Sequence, residues 1–221
     1  MPVRWGMGAA LLLVGLGAAL AAGPHDATSR RTFEDVEHWV RVFDDPERAA
    51  WQKPAELVAG LGLRAGQAVA DVGAGTGYFL THLATAVGET GTVYAVETEP
   101  NLLVHLRERA ERAGLRTVVP VLASAGHPRL PPGGVDLVLL VDTYHHLDDR
   151  PAYFRRVQAL LAPAGRVAVV DWQKRPLPVG PEMDHKLARA QVEEEMALAG
   201  YRLVSAPDLL PYQYVLIFQP R

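Results

Sequence analysis

Ala70-Asp71-Val72-Gly73-Ala74-Gly75-Thr76-Gly77-Tyr78-Phe79 is the stretch that decides the fold. Its start completes a short apolar run of strand character, Val69 to Val72. After it, Leu80, Leu83, Ala84 and Val87 fall on one face of a helix. The turn between them holds three glycines, where the missing β-carbon permits positive φ and lets a ligand approach the backbone. Their spacing is Gly-x-Gly-x-Gly. A dinucleotide site uses Gly-x-Gly-x-x-Gly with a helix N-terminus aimed at pyrophosphate, and Thr76-Gly77-Tyr78 does not supply it. Asp71, two residues before the first glycine, repels a diphosphate and attracts an ammonium or sulfonium group.

Outward from this loop, strands and helices alternate. Gly91 to Glu97 is a second strand rich in β-branched and aromatic residues, followed by a helix through Leu102, Leu103, Leu106, Ala110 and Ala113 that stops at Gly114. Thr117 to Leu122, Val135 to Val141 and Arg166 to Val170 are further strands, with Phe154, Val157 and Leu161 on the inner face of an intervening helix. A helix over Gln191 to Ala199 then precedes two strands, Tyr201 to Val204 and Tyr214 to Phe218, whose short connection makes them antiparallel. The pattern predicts an α/β, Rossmann-like doubly wound sheet of seven strands, mostly parallel with a terminal antiparallel strand. Its ligand belongs at the carboxyl ends of the strands, where strand order reverses. Upstream, Phe33, Val36, Trp39 and Val40 have helical spacing and a second helix begins at Pro54. Residues 33–65 are thus expected as a helical lid on a domain spanning 33–221. Phe43 to Pro54 folds over the ligand, and Trp39 and Trp51 either exclude water there or belong to the core.

A chain of 221 residues accommodates one ordinary domain. A net charge of −3 with scattered Lys and Arg gives no footprint for nucleic acid. The absence of cysteine excludes disulfides, thiolate metal sites and thiol nucleophiles. Met1 to Arg4 carries one positive charge, Trp5 to Leu20 is apolar, and Ala19-Leu20-Ala21 offers the small residues of a cleavage site. Residues 1–22 read as a signal peptide or, uncleaved, as a membrane anchor at the short limit for a span, with 23–32 as linker. The expected location is the periplasm, or the inner membrane if the leader stays; a translation start downstream would make the protein cytoplasmic.

Glu97 ends the second strand, where a carboxylate can accept hydrogen bonds from both hydroxyls of a ribose. With ADVGAGTGYF (70–79), VYAVE (93–97), VDLVLLVDTYHHLDD (135–149) and LLAPAGRVAVVDW (160–172), the chain resembles the class I S-adenosylmethionine-dependent methyltransferases. The likeness is to the small-molecule group that includes methyltransferase type 11 and the ubiquinone and menaquinone ring methylases. The resemblance implies S-adenosyl-L-methionine as cofactor and a small-molecule methyl acceptor. It implies that the backbone of Gly73, Ala74, Gly75 and Gly77 cradles the methionine part, that Asp71 positions its amino group and that Glu97 takes the ribose. Thr98 then lines the adenine side and Asp142 joins the same set. Ser124 stands where the family carries an acidic residue, and Tyr78 either lies against the sulfonium or packs.

The polar run Asp142 to Asp149 closes the fourth strand, so the acceptor is expected beside it. His145 and His146 are the candidate general bases for an acceptor that must lose a proton. Being adjacent, they point differently, and His145 is favoured. The other reading is that this histidine orders the loop or helps seat the cofactor. Asp171, Trp172, Tyr212 and Gln213 are expected to line the same cleft, with His185 a weaker candidate. No spacing resembles a metal ligand set. The competing functions are a non-catalytic S-adenosylmethionine-binding protein and an NAD-dependent dehydrogenase.

Overall fold

The computed structural model describes Phe33 and residues 35–221; the leader and linker expected over 1–32 lie outside the described residues. Seven strands form one sheet in the order β3-β2-β1-β4-β5-β7-β6. They are β1 (Ala68–Val72), β2 (Thr92–Glu97), β3 (Val118–Leu122), β4 (Val135–Val141), β5 (Leu161–Trp172), β6 (Tyr201–Ser205) and β7 (Gln213–Pro220). The pairs from β3 to β5 are parallel, whereas β7 runs antiparallel to both β5 and β6. This is the doubly wound sheet expected from the alternation of elements. Strand order reverses between β1 and β4, so the carboxyl ends of those two strands flank the crevice of such a fold.

The central strands are apolar on both sides because helices cover both faces. On one face α3 (Pro54–Gly60), α4 (Leu80–Val87) and α5 (Pro100–Arg112) bring Leu57, Leu80, Leu83 and Leu106 against Val69, Leu137, Leu139 and Val170. On the other, α6 (Arg150–Val157) and α7 (Arg189–Leu198) bring Phe154, Val157, Val192 and Met196 against Val138, Leu140, Val167 and Val169. A buried fork joins those two helices: Arg150 Nε and Nη2 donate to Glu195 Oε2 and Oε1 at 2.7 and 3.0 Å. Tyr144 Oη donates to the same Glu195 Oε2 at 2.8 Å, which fastens the turn after β4 to α7.

The N-terminal lid is built of α1 (Val36–Phe43), α2 (Arg48–Gln52) and the start of α3. The first helix starts at Val36 rather than Phe33 because Asp35 caps it, accepting the His38 N–H at 2.9 Å. Trp39 and Trp51 are half-buried rather than core. Trp39 packs with Phe33 and stacks on Phe43, and Trp51 lies 5.2 Å from the Trp172 ring. A second departure lies before the fifth strand. Leu161 is not on the inner face of a helix; α6 ends at Val157 and Leu161 opens β5. There Val135 pairs with Leu161 but Leu137 pairs with Arg166, so Ala162 to Gly165 form a bulge that helical spacing could not reveal.

Candidate functional site

The glycine loop leaves β1 with Gly73, Gly75 and Gly77 at φ +75°, +56° and +85°, the left-handed region that the sequence anticipated. A β-carbon on Gly73 would stand 2.4 Å from Thr143 Oγ1, so the loop can lie against the turn after β4 only because that atom is missing. Ala74 and Thr76 are buried, and Tyr78 is half-buried. Glu97 ties this loop to β2: its Oε2 accepts the Gly75 N–H at 2.9 Å, and its Oε1 accepts the N–H groups of Thr98 and Glu99 at 2.6 and 3.1 Å. Thr98 itself is exposed. Ser124 is also exposed and engaged locally, its hydroxyl facing the His127 carbonyl oxygen at 3.4 Å.

Asp71 is only 3 % exposed, yet no hydrogen-bond donor among the described residues reaches its carboxylate. Burial pushes its carboxyl up to about 7, with Arg48 pulling it back and Glu97 adding to the rise. A buried carboxylate without a donor is costly unless a partner arrives. A cationic ligand group at the glycine loop meets that need.

Asp142 leaves β4 at φ +55°, which turns the chain sharply into the loop that follows. Gln213 Nε2 donates to its Oδ1 at 2.6 Å, and Gln213 Oε1 in turn accepts from Gln52 Nε2 at 2.8 Å. Burial raises the Asp142 carboxyl to about 7 as well, again opposed by Arg48. The relay joins the lid, β7 and β4. Gln213 thus reaches the edge that carries the glycine loop, as an antiparallel terminal strand requires. A second fastening lies nearby, where Asp44 accepts the Thr76 hydroxyl at 2.9 Å and pairs with Arg109 of α5. Phe43 packs over Gly75, so the lid does fold over the loop.

Arg48, which sequence reasoning passed over, sits between these groups. Its guanidinium lies 4.3 Å from the Tyr78 ring centroid, and its Nη2 is 3.7 Å from Asp142 Oδ2. Tyr78 thus packs against a charged side chain of the lid.

The two histidines lie on a 3₁₀ turn, Tyr144–His146, and their rings are 4.2 Å apart. They differ in surroundings. His145 is buried, and its Nδ1 faces Asp171 Oδ1 and Oδ2 at 2.9 and 3.0 Å. Asp171 Oδ2 also accepts the His145 backbone N–H at 3.2 Å. His146 is half-buried, edge-on to Phe33. An Asp that accepts from Nδ1 fixes the neutral ring with its proton there and its lone pair on Nε2, the arrangement a general base needs. Trp172, Trp51 and Tyr212 form an aromatic group beside Asp171. His185 closes the 3₁₀ turn Met183–His185 before α7.

A family model described as a methyltransferase domain matches residues 69–165, from β1 into β5. The chain is 37 % identical over 107 residues to a protein-L-isoaspartate O-methyltransferase of Aeropyrum pernix, covering 47 % of this chain and 38 % of that one. It is 30 % identical over 159 residues to the 27-O-demethylrifamycin SV methyltransferase of Amycolatopsis mediterranei, covering 71 % of this chain and 58 % of that protein. The chain thus spans roughly 38 to 58 % of the length of these relatives. Its fold is that of a SAM-dependent methyltransferase from Aquifex aeolicus, with a TM-score of 0.79, 24 % identity, and 86 % and 98 % of the two chains aligned. Glycine loop, acidic partners, strand order and these matches agree: residues 69–165 are a methyltransferase domain, on the fold of the class I S-adenosylmethionine-dependent methyltransferases.

Proposed function

We propose that this protein transfers a methyl group to a small-molecule acceptor carrying an ionisable nucleophile, a hydroxyl, an acidic carbon or an amine, with His145 as its general base. The observation that carries this reading is the buried His145–Asp171 pair at the carboxyl ends of β4 and β5, two residues on from Thr143, which lies against Gly73. The residues fit the cofactor. The glycine loop gives close backbone approach, the buried Asp71 carboxylate has no hydrogen-bond donor among the described residues, and Glu97 stands at the end of β2 beside the loop it braces. Bound there, S-adenosylmethionine supplies an electrophilic methyl group. Asp71 would hold its ammonium, Gly73 to Gly77 its methionine backbone and Glu97 its ribose.

The protein's own contribution is then alignment and proton removal. Alignment alone is worth about 7 to 11 kcal/mol where reacting atoms are well oriented. His145 takes the acceptor's proton on Nε2, and Asp171 stabilises the imidazolium that results. The lid, fastened through Asp44 and the Gln52–Gln213–Asp142 relay, keeps water away. A panel of phenols, enolisable ketones, carboxylic acids and amines, assayed for S-adenosylhomocysteine release, tests this. Turnover is expected with acceptors that ionise and not with thioethers. Release from none of the ionisable classes while the protein binds S-adenosylhomocysteine would instead favour a non-catalytic binder.

We further propose that the domain works outside the cytoplasm, on the strength of the leader over residues 1–22. Fractionation of cells making the full chain is expected to find it in the periplasm, with an N-terminus close to Ala22 or Gly23. Full-length protein in membranes would mean a retained anchor, and soluble protein in the cytoplasm would overturn export.

A further inference from the structure

Among the described residues α2 reaches the sheet through two polar contacts, and both end on one carboxyl group. Gln52 Nε2 donates to Gln213 Oε1 at 2.8 Å, and Gln213 Nε2 donates to Asp142 Oδ1 at 2.6 Å. From the same helix Arg48 brings its Nη2 to 3.7 Å from Asp142 Oδ2. Gln52 and Gln213 are fully buried, so water does not stand in for either partner. Position 142 is demanding in itself, because its φ of +55° suits glycine, asparagine and aspartate and few other residues. What α2 covers is the edge beside the His145–Asp171 pair. Its Trp51 lies 5.2 Å from the ring of Trp172, the residue after Asp171, and 6.4 Å from that of Tyr212.

The Asp142 carboxyl has neighbours of both signs. Arg48 on α2, His145 on the turn after β4 and the Gln213 hydrogen bond favour its charged form; Asp171 at the end of β5 opposes it, and burial opposes it most, so that the group is raised to about 7. Part of that burial comes from α2, whose Arg48 stands against Oδ2 and whose Gln52 backs Gln213. With α2 withdrawn, the carboxyl meets water and moves back toward its ordinary 3.8. The shut lid therefore holds a proton at pH values where the open lid does not. Protonation removes the buried charge yet leaves Oδ1 as the acceptor for Gln213, so the relay survives it.

We propose that Asp142 is the positioning residue of the lid and takes up a proton as α2 closes over it, so that the lid shuts more firmly as pH falls from neutrality. This needs no bound ligand and stands apart from the cofactor reading.

The test is hydrogen exchange on the full chain, followed over the peptide that contains α2 and corrected for the intrinsic pH dependence of exchange, with the amides of β4 reporting the integrity of the fold. In the unaltered protein the opening constant is expected to rise by about three- to tenfold per pH unit from pH 5 to 7 and to level off above about 7. Asp142→Asn keeps an oxygen for Gln213 and tolerates the same φ, so its lid should open as rarely at pH 8 as the unaltered lid does at pH 5. Asp142→Gly suits that φ but ends the relay, and should open about tenfold more often than the asparagine variant at every pH. Gln213→Leu cuts the relay from the other side and should match the glycine variant at pH 5, even if glycine disturbs β4. An unaltered lid whose opening is the same at pH 5 and pH 8 would overturn the proposal. So would a pH dependence that survives in Asp142→Asn, which would pass the role to Asp71 or Asp44, the other carboxylates acting on Arg48. Equal opening of the asparagine variant and the two relay-cutting variants would leave Asp142 without a hold on the lid.

Discussion

Replacing His145 with asparagine is expected to lower turnover about 10²- to 10⁴-fold while S-adenosylhomocysteine affinity stays within about twofold. Asp171 faces the ring's Nδ1, so in the neutral ring with its proton there the nitrogen that accepts a proton is Nε2. Asparagine fills similar space but cannot take up a proton at neutral pH. Asp171→Asn is expected to share much of the loss, because an amide N–H₂ facing Nδ1 selects the tautomer with the proton on Nε2. The competing role is structural, since Asp171 also holds the His145 backbone N–H. If His145 merely orders its turn, the variant will lose melting temperature and cofactor affinity with kcat unchanged. That pattern would remove it from the chemistry.

The parts of this site that could be read from sequence are those whose chemistry is local. Asp71 and the three glycines lie within seven consecutive residues, and each has its role from its place on one strand-to-helix turn. Glu97 is legible for a similar reason: strand ends in a parallel sheet converge, and a carboxylate there meets the loop beside it. The expected strands β1, β2 and β4 differ from those observed by little more than a residue. What escaped depends on pairing across the whole chain. Gln52 and Gln213 are 161 residues apart when they hydrogen-bond, and neither type of residue signals such a partner. Arg48 looked like any surface cation in a polar stretch, because its burial follows from where α2 docks. Asp171 was legible as a wall of the cleft but not as the partner of His145, 26 residues earlier on the neighbouring strand's turn. The bulge before Arg166 was hidden because Leu161 suits a helix face and a strand equally well.

Asp71→Asn is expected to damage binding and improve stability at the same time, and the two effects should separate with pH. Folding moves the carboxyl of Asp71 from 3.8 to about 7, through burial first, with Arg48 opposing. A carboxyl raised by folding binds its proton more tightly in the native state. Its contribution is therefore most favourable below about pH 4 and is lost as pH rises through about 7. At pH 8 the native protein carries a buried charge without a donor, and asparagine removes it. The variant should then be more stable than the unaltered protein by about 1 to 4 kcal/mol, since each pKa unit corresponds to about 1.4 kcal/mol. Thermal melts should show this gain shrinking as pH falls below 7 and vanishing only below about pH 4, where the carboxyl is protonated in the unfolded chain as well. Ligand affinity should run the other way. Asparagine offers no charge to an ammonium, so S-adenosylhomocysteine binding at pH 8 should weaken by about 30-fold or more. In the unaltered protein the same affinity should fall by up to about tenfold per pH unit below 7, as the proton and the ligand compete for one carboxylate. A variant that melts lower than the unaltered protein at pH 8, or binds the ligand equally well, would show that Asp71 already has its partner within the protein. The cationic end of the ligand would then need another seat.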